Sequence, residues 1–231
     1  MIARVLVDRY RPGLPWRRRR ILLAIGVAAP VFAFLSVLLA VAFYPGFNHA
    51  TQFLSELGGA TARFPFLFNG GVLISGVAAG FAGVGFGLAV AAVGGSRIAA
   101  GGLMVCFILA GIGLVISSLF VWPNPIHLFV NLGLGIILAP LFLIWGLHGV
   151  PGMGRLRIFL VLVCVAMALL ALITNHRIWY GLVNPQNVGW WERLFAVVLV
   201  GWTGIAAWVL ERRLFASAVA AADSERRDPA D

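Results

Sequence analysis

Apolar runs of about twenty residues constrain this chain more than any other feature of its sequence. They recur from Ile21 to Leu210, and an α-helix needs roughly 20 apolar residues to cross about 30 Å of bilayer hydrocarbon. Only 11% of the residues are charged, against about a quarter in a soluble domain, and they crowd into the two ends and the short gaps. The sequence therefore predicts an all-α, polytopic membrane protein.

The apolar runs predict a bundle of about six transmembrane helices. The predicted domains are a basic N-terminus at 1–20, a transmembrane domain at 21–211 and a polar tail at 212–231. The predicted spans lie at about 21–43, 65–93, 99–121, 126–148, 158–174 and 190–210. The pair Asn124-Pro125 predicts a helix start. In the second span, Gly76, Gly80, Gly83 and Gly87 form two small-xxx-small pairs, which let helices approach closely in lipid.

The basic residues predict the orientation of the chain. All 17 are arginines, and with a cytoplasmic N-terminus fourteen of them lie on the cytoplasmic side. The other three, Arg63, Arg177 and Arg193, lie on the opposite side. Because cytoplasmic loops carry the excess of positive charge, we expect a multi-pass protein of the inner (plasma) membrane with both termini in the cytoplasm.

The composition also excludes several classes of function. No lysine is present, and a retinal photoreceptor or a pyridoxal phosphate enzyme needs a lysine amine for its Schiff base. The net charge of +9 does not indicate a nucleic-acid partner, because that function requires a basic face on a folded soluble domain. The predicted partners are membrane lipids and, in addition, a membrane protein partner or a second copy of the chain.

Polar side chains other than arginine fall mostly on the face opposite the termini. Imidazole and carboxylate groups act as general acids and bases or bind a metal ion, so the candidate catalytic residues are His49, Glu56, His127 and His176. The three histidines are also candidate ligands of a metal ion. A haem held by His127 with His49 or His176 is an alternative cofactor.

Other polar residues of this face have candidate binding or supporting roles. Arg63, Arg177 and Arg193 are candidates for binding an anionic lipid headgroup. They are also candidate ionic partners of Glu192, whose carboxylate would be costly unpaired inside a span. Ser55, Asn131 and Glu192 are candidates for supporting roles around the site. The loop from Tyr44 to Phe64 contains several apolar residues, so we expect it to lie along the membrane interface or to fold back as a cap.

The same stretches resemble a known family. Tyr44-Pro45-Gly46-Phe47-Asn48-His49 followed by Leu54-Ser55-Glu56-Leu57-Gly58 is similar to the opening signature of the "domain of unknown function 998" family of bacterial and archaeal membrane proteins. Three later stretches look like the same family: Asn69-Gly70-Gly71, Trp122-Pro123 with His127, and Trp191-Glu192-Arg193-Leu194. The resemblance runs from about Val31 to Leu210. It implies a six-helix membrane bundle and no assigned activity.

Several functions remain open at this point. The first is an enzyme or binding protein with an outward-facing site of His, Glu and Arg residues for a lipid or lipid-linked molecule. The second is a non-catalytic accessory or assembly subunit of a membrane complex. A transporter is disfavoured, because ionisable residues at mid-membrane, which mark ion pathways, are scarce. Each single histidine is more often an interfacial structural residue than a catalytic one.

Overall fold

The part of the chain that the structure describes is built from helices without strands. The structure, a computed structural model, describes residues 14–129 and 133–227, with the side chains of 18–127 and 135–219. The helices are α1 (Leu14–Ala42), α2 (Pro65–Ala92), α3 (Arg97–Leu119), α4 (Pro125–Phe129), α5 (Gly133–Gly146), α6 (Gly154–Thr174) and α7 (Val188–Arg227), with a 3-10 helix at Leu54–Gly58. The predicted all-helical membrane fold is confirmed.

Five of these helices are long and apolar enough to cross a membrane. They are α1, α2, α3, α6 and α7, so the chain is a multi-pass membrane protein. The predicted span at about 126–148 corresponds to α4 and α5, and its apolar part, Gly135–Gly146, is shorter than the others. A sixth crossing therefore stays a prediction. Helix α7 continues to Arg227, well past the predicted end of the last span at 210.

Local chemistry explains where several helices begin. Pro65 occupies the first turn of α2, where a missing N–H has no cost because the helix leaves it unpaired. Ser96 caps α3 by accepting from the Ala99 N–H at 3.3 Å. Asn124 Oδ1 accepts from the Ile126 N–H at 2.9 Å, and α4 begins at Pro125, as the Asn-Pro pair predicts.

The long helices form a ring in which sequence neighbours are also neighbours in space. Helices α1, α2, α3, α5, α6 and α7 each pack against the next, and α7 returns to pack against α1. At one end of the ring, the base, the Ser96 N–H donates to Gly146 O at 3.0 Å. Arg20 Nε donates to Glu211 Oε1 at the same end, at 2.8 Å. The opposite end, the loop end, gathers residues 43–64, the start of α4 and the start of α7.

Aromatic side chains fill the middle of the ring. Phe86 of α2, Phe107 of α3 and Trp202 of α7 are at most 2% exposed. Their ring centroids are 5.1 Å apart between Phe86 and Phe107 and 5.9 Å apart between Phe107 and Trp202. This cluster joins α7 to α2 and α3, two helices far from it in sequence.

Glycines bring α2 and α3 together as the small-xxx-small spacing predicts, with one exception. A Cβ at Gly76 would lie 2.7 Å from Gly111 O on α3. Gly83 packs against Phe107, and Gly87 packs against Met104. Gly80 faces open space, with no heavy atom within 4 Å of the position of its Cβ. Three of the four glycines therefore direct their Cβ positions at α3, while the backbone N of Gly80 lies 3.3 Å from the Cβ position of Gly111 on α3.

Candidate functional site

Residues 43–64 fold into a compact segment, the cap, that covers the loop end of the ring. Glu56 closes its 3-10 helix, because Oε1 accepts from the Phe53 N–H at 2.7 Å and Oε2 accepts from Gln52 Nε2 at 3.1 Å. The Tyr44 hydroxyl donates to Thr61 Oγ1 at 2.8 Å, which ties the two ends of the cap together. Both Glu56 oxygens thus accept hydrogen bonds from other residues of the cap, as expected for a carboxylate with a structural role.

The cap is docked onto the first turn of α7 by three hydrogen bonds. The Leu54 N–H donates to Glu192 Oε2 at 2.6 Å, the Gly189 N–H donates to Ala50 O at 2.7 Å, and Arg193 Nη1 donates to Gln52 O at 3.0 Å. A side chain at position 189 would collide with the cap, since its Cβ would lie 2.5 Å from His49 O and 2.7 Å from Gln52 O. The glycine permits this close approach of two backbones.

Other elements hold the remaining sides of the cap. Asn69 of α2 donates from Nδ2 to Gly58 O at 2.9 Å, and Leu57 is 1% exposed. The ring of Phe53 packs against Trp122, with centroids 5.7 Å apart. The cap is therefore fixed to α2, to the chain before α4 and to α7, and the expectation that this loop folds back over the bundle agrees with its position.

Beneath the cap lies a cavity of about 390 Å³ between α1, α2, α3 and α7. Most of the residues in its wall are apolar, and eight of them are glycine or alanine: Gly26, Ala29, Ala33, Gly71, Ala79, Ala82, Ala110 and Ala196. It extends along α7 from Glu192 to Thr203, which is about 16 Å at ~1.5 Å per residue. The cavity is thus long, and it lies inside the part of the ring that would occupy the hydrocarbon.

The end of the cavity beneath the cap is polar. Ser55 of the cap, His127 of α4 and Glu192 of α7 all line it, and all three are sequence-predicted site residues. Glu192 has one carboxylate oxygen occupied by the Leu54 amide. These residues come from three separate regions of the chain, so the fold brings together chemistry that is dispersed in the sequence.

The hydrogen bonds of His127 assign its tautomer. Nδ1 lies 3.1 Å from Ser117 O and 2.9 Å from Phe120 O at the end of α3. A backbone carbonyl oxygen only accepts, so Nδ1 carries the proton. In the neutral ring, Nε2 is then an acceptor. With a neutral ring, His127 can therefore accept a hydrogen bond at Nε2.

Four hydroxyl residues of the cavity wall were missed by the sequence reasoning. They are Ser36, Ser75, Ser117 and Thr203. Ser36 and Thr203 donate to carbonyls of their own helices, whereas the buried Oγ atoms of Ser75 and Ser117 have no hydrogen-bond partner within the described residues. Their signal in the sequence is a hydroxyl inside an apolar span, a residue type enriched at interhelical surfaces.

Several predicted site residues lie away from the cavity. His49 stacks on Trp190, with centroids 5.8 Å apart. Arg63 is exposed and lies over the Phe64 ring. His176 and Arg177 are exposed after the end of α6, where His176 packs against Tyr180. Asn131 lies outside the described residues.

The structure does not pair Glu192 with an arginine as the sequence suggested. Arg193 instead donates to Gln52 O and Gly189 O, and none of Arg63, Arg177 and Arg193, all within the described residues, forms an ion pair with Glu192. The backbone amide of Leu54 takes that place because the cap folds directly over the first turn of α7. Hydrogen bonding to a backbone N–H is another way to compensate a partly buried carboxylate.

The described residues contain no group of three or more His, Cys, Asp and Glu side chains that could hold a metal ion. His49, His127 and His176 have separate neighbours: Trp190, the end of α3 and Tyr180. A metal ion or haem at these histidines stays a prediction from the sequence, and the geometry adds no support to it.

Comparison with known proteins gives a family but no relative of known activity. A family model described as "Protein of unknown function (DUF998)" matches residues 27–209, about four-fifths of the chain. The match includes the cap, His127 and Glu192. The chain matches no curated protein and no solved structure at a significant level.

Proposed function

The chain belongs to the DUF998 family of proteins of unknown function, and we propose that it binds a lipid or lipid-linked molecule in the cavity beneath its cap. The observation that carries this proposal is the shape and chemistry of that cavity. A long apolar body between α1, α2, α3 and α7 ends at Ser55, His127 and Glu192. An amphipathic molecule would match this cavity, with its apolar chain in the apolar body and its polar head at the polar end.

The size and lining of the cavity support binding of a specific molecule. Ligand sites commonly occupy about 300–1,000 Å³, with apolar walls and a few placed polar groups, and the volume of about 390 Å³ falls in this range. The unpartnered hydroxyls of Ser75 and Ser117 also support a ligand, because buried polar groups normally have a hydrogen-bond partner. A bound molecule would supply it.

The proposal is limited to binding because the polar end lacks a preassembled catalytic pair. No hydrogen bond joins the Ser55 hydroxyl, the His127 ring and the Glu192 carboxylate in this described part of the chain, whereas a nucleophile and its base normally lie within hydrogen-bond reach. His127 Nδ1 is engaged by α3 carbonyls, and Glu192 Oε2 is engaged by the cap. Both residues are held in place for recognition.

We also propose that the loop end faces away from the cytoplasm, in the inner membrane. Support comes from the arginines, of which fourteen of 17 fall on the side of the termini, since cytoplasmic loops carry the excess of Arg and Lys. The polar end of the cavity would then lie near the outer leaflet, within reach of the headgroups of lipids in that leaflet.

The test is whether purified protein carries a bound lipid that depends on the cavity. The full chain is extracted in mild detergent, and its bound molecules are identified by native mass spectrometry. The variant Ala196→Phe, which fills the cavity, should lose the bound molecule. The matched control is Val197→Phe, which adds an aromatic ring to the neighbouring position on the lipid-facing side, where Val197 is 54% exposed, and it should retain the molecule.

Equal retention of lipid in the two variants would refute the proposal, because nonspecific lipid would not distinguish the cavity wall from the outer surface. Circular dichroism and thermal melting of both variants show whether the bundle is intact. A further cavity-filling variant, Ala33→Leu on α1, gives a second test with a smaller side chain.

A further inference from the structure

We propose that the polar end of the cavity selects a head that donates hydrogen bonds and carries no negative charge, such as the hydroxyl or ammonium group of a single-chain alcohol or amine. This inference rests on the proposed function, since it names the chemical class of the molecule that the cavity binds. It also reverses one expectation from the sequence, in which arginines bind an anionic headgroup.

The polar end of the cavity offers a carboxylate oxygen of Glu192 as a hydrogen-bond acceptor. Glu192 lines the cavity, and the cap uses Oε2, which accepts from the Leu54 N–H. Its Oε1 has no hydrogen-bond donor within the described residues. A carboxylate accepts several hydrogen bonds, so Oε1 remains able to accept one from a ligand in the cavity.

His127 adds a second acceptor. Because Nδ1 donates to Ser117 O and Phe120 O, Nε2 of the neutral ring bears a lone pair. Glu192 on α7 and His127 on α4 thus each add an acceptor to residues that line the cavity. The hydroxyls of Ser55 and Ser117, which also line the cavity, can accept or donate and so complement the same head.

The arginines of the loop end lie away from the cavity lining. No arginine lines the cavity in the described residues. Arg193, the nearest in sequence to Glu192, directs Nη1 to Gln52 O and Gly189 O and lies over the Phe47 ring. Arg63, near the end of the cap, and Arg177, after α6, are exposed. The buried Nη2 of Arg193 has no hydrogen-bond partner within the described residues, but none of the three arginines predicted to hold a phosphate lines the cavity.

Electrostatics then decides between the classes of ligand. When Glu192 is ionised, it would repel a phosphate or carboxylate head in this poorly screened interior, and no guanidinium of the described residues lines the cavity to bind such a head. A hydroxyl or ammonium head would donate to Glu192 Oε1 and His127 Nε2. Sites built to hydrogen-bond a particular group reject analogues that leave it unpaired.

The experiment compares three probes that share one chain and differ in the head. Radiolabelled dodecanol, dodecylamine and dodecyl phosphate are titrated onto the full-length protein in nanodiscs, and saturable binding is measured against Ala196→Phe as the blocked control. We expect dodecanol or dodecylamine to bind at least roughly tenfold more tightly than dodecyl phosphate. Glu192→Gln, which keeps the shape and one acceptor oxygen, should reduce the preference for dodecylamine.

Two variants of Ser55 give a test based on a gain in affinity, which a loss of protein stability could not produce. Ser55→Arg introduces a guanidinium at the polar end, on a partly exposed position of the cap, and should raise the affinity for dodecyl phosphate. Ser55→Gln, a long uncharged side chain at the same position, should not. Preference of the wild-type protein for dodecyl phosphate would overturn this inference and leave the proposed function standing. Failure of all three probes to bind in a cavity-dependent way would overturn the proposed function itself.

Discussion

Glu192 is a single residue on which both the cap and the cavity depend. Its Oε2 atom accepts the Leu54 N–H of the cap, and its side chain lines the polar end of the cavity. A carboxylate at the first turn of a membrane helix is costly without a partner, and a backbone amide compensates it here. One side chain thereby links the position of the cap to the chemistry available to a ligand.

Replacement of Glu192 should release the cap at this point. Glu192→Ala leaves the partly buried Leu54 N–H without an acceptor, which costs less than the ~1–3 kcal/mol of a fully buried donor, and Glu192→Gln should cost less still because an amide oxygen can accept. The measurement is hydrogen exchange at the Leu54 amide together with the melting temperature in detergent.

The matched control for Glu192→Ala is Glu211→Ala at the base. It removes a more exposed ion pair with Arg20, a type of contact worth roughly 0–1 kcal/mol. Unchanged exchange at Leu54 in Glu192→Ala would show that the hydrogen bond does not hold the cap.

His127 should be found as the Nδ1–H tautomer whenever its ring is neutral. The reason is that both neighbours of Nδ1, Ser117 O and Phe120 O, are acceptors. Nitrogen-15 chemical shifts of labelled histidine, assigned by comparison with His127→Gln, report which nitrogen carries the proton. A neutral ring protonated on Nε2 would contradict the hydrogen-bond pattern described for this residue.

At the scale of elements, the contacts at Gly189 and Gly76 each require a glycine. Gly189 at the start of α7 allows the backbone of the cap to approach, and Gly76 of α2 allows α3 to approach. In both places the atom nearest to the Cβ position is a backbone oxygen, which cannot rotate away as a flexible side chain can. Steric space at these positions therefore determines how the elements assemble.

Gly189→Ala should displace the cap while leaving α7 helical. The added Cβ would meet His49 O and Gln52 O, and also Arg193 Nη1 at 2.8 Å, so the cap must move outward. Hydrogen exchange should rise over residues 50–58. Gly201→Ala is the control on the same helix, since nothing lies within 4 Å of a Cβ there. Equal protection of the cap in both variants would argue against close docking.

Comparison of Gly76→Ala with Gly80→Ala should separate the effect of helix packing on stability from the effect of helix propensity. At Gly76 the new methyl group meets Gly111 O at 2.7 Å and Leu114 Cβ at 2.9 Å, and overpacking of this kind costs about 1–3 kcal/mol. At Gly80 the methyl group meets nothing, and the change from Gly to Ala favours the helix by up to about 1 kcal/mol. The melting temperature should therefore fall in Gly76→Ala and stay the same or rise in Gly80→Ala. The opposite order would place α3 against Gly80.

At the scale of the whole molecule, the ring turns a linear series of apolar runs into the wall of the cavity beneath the cap. Helices α1, α2, α3 and α7 contribute to that wall, and the cap closes its loop end. The number of membrane crossings depends on the segment between α3 and α6, which leaves the loop end at Leu119 and reaches the base at Gly146. Helix α5 alone covers about 21 Å of this path at ~1.5 Å per residue.

Membrane labelling of single cysteines should establish six crossings. In a background with Cys106 and Cys164 replaced by alanine, Thr51→Cys and Gln186→Cys should react with an impermeant maleimide on intact cells, because both positions lie at the loop end. His148→Cys, an exposed position near the base, should react only after the membrane is permeabilised. Labelling of His148→Cys from outside would mean that the segment with α4 and α5 does not cross.

The fold could be predicted from the sequence to a greater extent than the site. Apolar runs and the family resemblance rest on local patterns, and they predicted an all-helical membrane protein of this family. The partners of Glu192 could not be predicted, because the Leu54 amide is 138 residues away in sequence and an arginine was its immediate neighbour. Ser36, Ser75, Ser117 and Thr203 were missed for a related reason: only the order of helices in the ring shows which face of each helix is shared.

Because α1 and α7 pack together and close the ring, the helices could be connected in a different order along the chain. Arg20 and Glu211 lie in contact at the base, so the first and last transmembrane helices meet where a short linker could join them. The turn between α2 and α3, at residues 93–96, lies at the same end. A circular permutant that begins at α3 and ends at α2 would keep every helix in its orientation and every neighbour in place. We expect the cavity to persist in such a permutant, because its wall depends on which helices are adjacent and not on their order in the sequence.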